Sequence, residues 1–237
     1  MRANVVGLAI CVLLLVSNTG AAQKDSLPQP VNSHIRARAW IVPVGIGASY
    51  ALDPELREWT LHQHSRSLDR LAKSANALGT AQRLVPVIAG TYVIALLTRH
   101  ESLADGILNT AAAYVASDLV ESGLKPLIGR ERPHVEGNSH RFHPLTANGD
   151  WHSFPSAHVA HITAIAEAIS MQTHSTPIAA LAGSVVALVA WDRIYEDQHW
   201  TSDVTATIAL SSAISSATVR WLESHWTHSP DAGEHFR

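Results

Sequence analysis

A single cysteine among 237 residues excludes an intrachain disulfide framework and any cluster of thiolate metal ligands. A surplus of positive charge is also missing. Lys and Arg number 17 against 20 Asp and Glu, so no broad nucleic-acid-binding surface is expected. Long apolar runs are scarce. A membrane-spanning helix needs about 20 apolar residues, whereas the stretches 39–52 and 84–97 are short and broken by proline, and 107–124 carries Asp118 and Glu121. Mean hydropathy lies just above zero, high for a soluble domain and low for a chain mostly in lipid. Among 15 histidines there is no His-Glu-x-x-His pair, and His140, His143 and His152 are too dispersed to suggest a zinc site, so no metal is expected.

The chain opens with Met1-Arg2, an apolar run over 5–16, and the small residues Gly20-Ala21-Ala22, which read as a secretory signal peptide over residues 1–22. Residues 23–237 then read as a single domain with a core at about 39–223. Alanine-rich stretches with Leu, Ile and Val recur at 39–52, 84–97, 107–124, 158–171, 177–191 and 204–219, predicting an all-α bundle of about six core helices. Residues 61–78 form an amphipathic helical pattern with Gly79 as its stop. An irregular segment at 131–154 divides two helical halves, and a connection of that length inside a compact domain usually has a task.

Three clusters carry chemistry. Lys125, Arg130, Arg132 and Pro133 end one helix, and an ammonium with guanidinium forks suits a tetrahedral oxyanion. Simple helix capping explains the same charges. Next, Pro155-Ser156-Ala157-His158 opens another helix. Ser156 stands at the N-cap position, the N–H groups of Ala157 and His158 point out of the helix start, and such a start binds phosphate. His158 is placed to protonate a leaving group; an ordinary serine cap beside a packed histidine is the plain alternative. Finally, Arg193, His199 and Asp203 follow Trp191. His199 and Asp203 are four apart and would share a helix face, a carboxylate fixing the imidazole tautomer. A structural His–Asp pair remains the other reading.

In order and spacing, Lys125…Arg132-Pro133, Pro155-Ser156-x-His158 and Arg193…His199…Asp203 resemble the three-part signature of the phosphatidic acid phosphatase type 2 (PAP2) and haloperoxidase superfamily. The resemblance implies a PAP2-type helical bundle and a metal-independent phosphatase. Its substrate would be a phosphate monoester, or the terminal phosphate of a lipid or isoprenoid pyrophosphate. It implies His199 as nucleophile forming a phosphohistidine, Asp203 orienting it, and His158 as general acid and then base. Lys125, Arg132, Ser156, Ala157 and Arg193 would hold the phosphoryl oxygens. A soluble periplasmic acid phosphatase, a haloperoxidase using vanadate as its only cofactor, and a non-catalytic exported binding protein stay open as alternatives.

Two residues depart from the signature. Ala157 stands where the family has glycine, and Asp192 stands where serine precedes Arg193, adding a carboxylate that can compete for that arginine. The expected partners are a phosphorylated small molecule or lipid and a membrane surface, with no nucleic acid. The signal peptide and the short apolar segments place the protein outside the cytoplasm, as a periplasmic protein or at the periplasmic face of a membrane, with an integral protein as the alternative.

Overall fold

The computed structural model describes residues 33–226. The proposed leader and its cleavage site, and the tail after 226, lie outside the described residues. Helices account for most of the rest: α1 Ser33–Ala51, α2 Asp53–Leu61, α3 Arg66–Gly79, α4 Ala81–Leu97, α5 Glu101–Ile128, α6 Pro133–Glu136, α7 Ala157–Thr173, α8 Thr176–Tyr195 and α9 Thr201–Trp226. α3 and α4 are bent by 51° at their junction and pass together for one broken span. Counted that way, six long helical units make the bundle, as the alanine-rich pattern predicts. Among the described residues the one β pairing is an isolated bridge between Arg130 and Phe142.

α7 is the axis of the bundle, packed against α5, α8 and α9. Val159, Ile162 and Ala166 of α7 meet Val186, Val189, Ala190 and Ile194 of α8 and Val204 and Ile208 of α9. On the other side Ala168 meets Ala113 of α5 and Val219 of α9. Small residues at these contacts let the helix backbones approach closely.

The outer helices are built inside out relative to a water-soluble bundle. In α4 the buried residue is Ala95, while Val87, Ile94 and Leu97 are exposed. In α5 the polar Ser117 and Glu121 are buried, whereas Val115, Leu119 and Leu127 face outward, Leu119 at 67% exposure. An apolar surface of this extent marks contact with a partner or with lipid.

α5 stops at Gly129, which adopts a left-handed conformation (φ 60°) and caps the helix through its N–H to Lys125 O at 2.9 Å. A Cβ here would lie 1.9 Å from His143 O, so the backbone of the long loop closes directly onto this glycine. Just beyond it, Arg130 turns inward and is buried. Its guanidinium pairs with Asp53 of α2 (2.8 Å) and Asp203 of α9 (2.5 Å) and donates to Ser202 Oγ and Ser139 O. The rings of Tyr50, Phe142 and Trp200 surround it at 5.1, 5.8 and 5.7 Å. One side chain thereby joins α1, α2, the 131–154 loop and α9.

Arg130→Gln should therefore be severely destabilising, because it strands two fully buried carboxylates. Breaking a buried pair in this way costs about 3–5 kcal/mol. Thermal unfolding of the purified variant would read the loss, and an unchanged melting temperature would show the network to be dispensable.

Candidate active site

The end of α5, the starts of α7 and α9, the end of α8 and the 131–154 loop meet at one end of the bundle. Lys125, in the last turn of α5, donates to Pro155 O at 2.8 Å and pairs with Glu121 one turn earlier. Arg132 leaves the helix end and fastens the long loop to the α8–α9 turn, donating to Gly149 O (3.0 Å) and Gln198 Oε1 (3.0 Å).

Ser156 is the N-cap of α7, but its hydroxyl makes no capping bond. Its N–H donates to Thr207 Oγ1 at 3.0 Å, while Oγ is buried with no protein partner. The first N–H groups of α7, beginning with Ala157, have no carbonyl ahead of them in the helix and present partial positive charge. An unpaired buried hydroxyl beside them suits an oxyanion. His158 follows, half-buried, on the first turn. Gly79 at the end of α3 packs so closely that a Cβ there would lie 2.8 Å from His158 Cβ.

The carboxylate introduced by Asp192 does take Arg193. Its Oδ2 accepts both Nε (2.8 Å) and Nη2 (2.6 Å). This side-on pairing leaves Nη1 uncommitted among the described residues, so the pairing fixes the guanidinium without consuming all its donors.

His199 sits in the α8–α9 turn, 4% exposed. Its Nδ1 lies 2.5 Å from Ser153 O. A carbonyl only accepts, so Nδ1 carries the proton and Nε2 carries the lone pair. Burial pushes this imidazole well below its ordinary value; the positive charges of Arg132, Lys125 and Arg193 act in the same direction, against the Ser153 bond. The same three cations act on His158. The charges of Lys125, Arg132 and Arg193 thus reach both histidines.

The expected bond between Asp203 and His199 is not made. The four-residue spacing implies a shared helix face only if both residues are helical, and α9 begins at Thr201, after His199. Asp203 instead accepts from Ser153 Oγ (2.5 Å), Trp200 N–H (3.0 Å) and Arg130. Ser153 and Asp53 carry no signal in the sequence that ties them to these partners, and Arg130 reads there as one more cation of its cluster. Trp200 is a core side chain whose Nε1 donates to Glu131 O at 2.8 Å.

Among the described residues no group of three His, Cys, Asp or Glu side chains is placed to hold a metal ion. The loop histidines go separate ways: His140 bonds Tyr50 OH, His143 packs on Trp151, and His152 bonds Thr146 O.

No curated protein matches the chain. Two solved structures share its fold. LpxE of Aquifex aeolicus is 21% identical, covering 71% of this chain and 95% of its own, with a TM-score of 0.57. The first transmembrane PAP2-type phosphatidylglycerolphosphate phosphatase from Bacillus subtilis is 18% identical, covering 98% of both chains, with a TM-score of 0.59. This end-to-end likeness to a transmembrane enzyme overturns the expectation of an exported, periplasmic or peripheral protein. That expectation rested on the proposed signal peptide and on short apolar segments; in α5 the inward Glu121 lowers the mean hydropathy while the outward face stays apolar. Residues 106–226, about half the chain and containing all three clusters, match the PAP2 superfamily, and the chain belongs to it.

Proposed function

We propose that this protein is an integral membrane phosphatase that removes phosphate from a monoester, or the terminal phosphate of a pyrophosphate, on a lipid or isoprenoid carrier. The observation that supports this most is the free Nε2 of His199 among three cationic side chains, with the unpaired Ser156 hydroxyl at the adjoining helix start. A neutral imidazole whose Nδ1 is occupied is an attacking nitrogen without further adjustment.

In the first step Nε2 of His199 bonds to phosphorus and the bond to the leaving oxygen breaks. His158 delivers the proton that the leaving alkoxide takes. Lys125, Arg132, Arg193 through Nη1, Ser156 Oγ and the N–H of Ala157 hold the three non-bridging oxygens as charge shifts onto them. In the second step His158 removes a proton from water, the water oxygen attacks phosphorus, and the phosphorus–nitrogen bond breaks to release inorganic phosphate. A carrier with a hydrocarbon tail is favoured by the apolar cleft between α4 and α5. Its lining includes Val85, Ile88, Tyr92, Ile107, Leu108 and Tyr114. The Tyr114 ring lies 4.8 Å from His161, one turn along α7 from His158.

Purified protein in detergent should release phosphate from lipid phosphates faster than from soluble monoesters, with or without chelator. Loss on chelation with rescue by one divalent ion would overturn the mechanism, and preference for soluble esters would overturn the carrier. Rapid quench with radiolabelled substrate should trap label on His199, and His199→Ala should trap none. His158→Ala should slow phosphoenzyme formation by about 10²–10⁴ on alkyl esters and by much less on an aryl ester, whose leaving group needs no proton.

The neutral state of His199 also sets a pH dependence. The unfolded imidazole protonates below about pH 6.5, whereas the native one resists to well below that value. This contribution to stability is complete above pH about 6.5 and is lost as pH falls toward the native value. His199→Gln should flatten the acid side of a melting-temperature profile; superimposable acid limbs would contradict it.

A further inference from the structure

Ser153 is fully buried and every polar group it carries is engaged with the site. Its N–H donates to Arg130 O at 3.0 Å. Its hydroxyl donates to Asp203 Oδ2 at 2.5 Å. Its carbonyl receives the Nδ1–H of His199 at 2.5 Å. Asp203, for its part, spends its two oxygens on Ser153, Trp200 N–H and Arg130.

We propose that Ser153 is the positioning residue through which Asp203 and Arg130 act on His199, its carbonyl aiming the imidazole and its hydroxyl and N–H clamping that carbonyl in place. The inference rests on the reading of His199 as nucleophile. A carboxylate bonded directly to an imidazole supplies both orientation and negative charge, and so stabilises the ring as a cation. A backbone carbonyl supplies orientation with far less charge. The charge of Asp203 is already met by Arg130 and two further donors, so what reaches His199 is geometry. The ring keeps one tautomer and stays neutral among the cations that hold the phosphoryl oxygens. Removing the serine hydroxyl leaves the peptide in place but frees it to rotate, because one of its two clamps is gone.

The test uses the full-length protein in detergent, with Ser153→Ala, which deletes the hydroxyl, and Ser153→Thr, which keeps it. Ring-nitrogen NMR of histidine-labelled protein should show His199 as a single Nδ1–H tautomer in the parent and in Ser153→Thr, and as a mixture in Ser153→Ala. Phosphoenzyme formation at saturating substrate should fall about 10–100-fold in Ser153→Ala, the same order as the loss of a partner that orients a metal-bound imidazole. KM should stay near the parent value, since no phosphate contact is removed. Ser153→Thr should recover most of the rate. If Ser153→Ala does not fold, Ser153→Cys, a weak donor, carries the same comparison. A single Nδ1–H tautomer together with parental phosphoenzyme formation in the Ala or Cys variant would overturn the proposal, as would a direct Asp203 contact signalled by an Nδ1 tautomer indifferent to residue 153. Label trapped on another residue would remove His199 as nucleophile, and the tautomer measurement would still decide the role of Ser153.

Discussion

The buried guanidinium of Arg130 is the contact on which the site depends. It sits between two fully buried carboxylates, Asp53 and Asp203, inside a ring of Tyr50, Phe142 and Trp200. Two buried carboxylates need an opposite charge between them, and the guanidinium supplies it to both. The pairing spans 77 and 73 residues of sequence. It therefore determines where the first helices and the last one stand relative to the loop that carries Arg132, and a helical bundle with slack here would have no fixed mouth.

Around that fixed point the cations divide into two kinds. Arg130 has all its charge met within the protein. Lys125, Arg132 and Arg193 are each only partly engaged, by Glu121 and Pro155 O, by Gly149 O and Gln198, and by Asp192. Partial engagement holds each side chain in a defined rotamer and keeps donors in reserve, which is what preorganised stabilisation of an oxyanion requires. Two helix starts, at α7 and α9, add their dipoles at the same end.

Much of this was legible in the residues themselves. Alanine-rich helical stretches, the N-cap position of Ser156 and the basic turn at Lys125 are local features, written within a few residues of where they act. The target of Asp203 was not legible, because the i,i+4 argument presumes a helix that in fact starts two residues after His199. Arg130 was indistinguishable from its neighbouring cations, since its partners lie far along the chain and only tertiary packing selects them. The apolar outer face of α5 was obscured for a related reason. Hydropathy averages over a helix, and α5 places Glu121 inward and Leu119 outward, a division that an average erases.

Gly79 gives the bend between α3 and α4 a mechanical meaning. Its Cα sits where a single added carbon would strike His158 and Val189, and its carbonyl receives His161 Nδ1 at 3.3 Å. The hinge of the bent pair is pinned to the first turns of α7, with no slack loop between them to absorb displacement. Any side chain larger than hydrogen at position 79 would therefore push α3 away from the turn that carries His158, so the bend and the imidazole share one packing constraint.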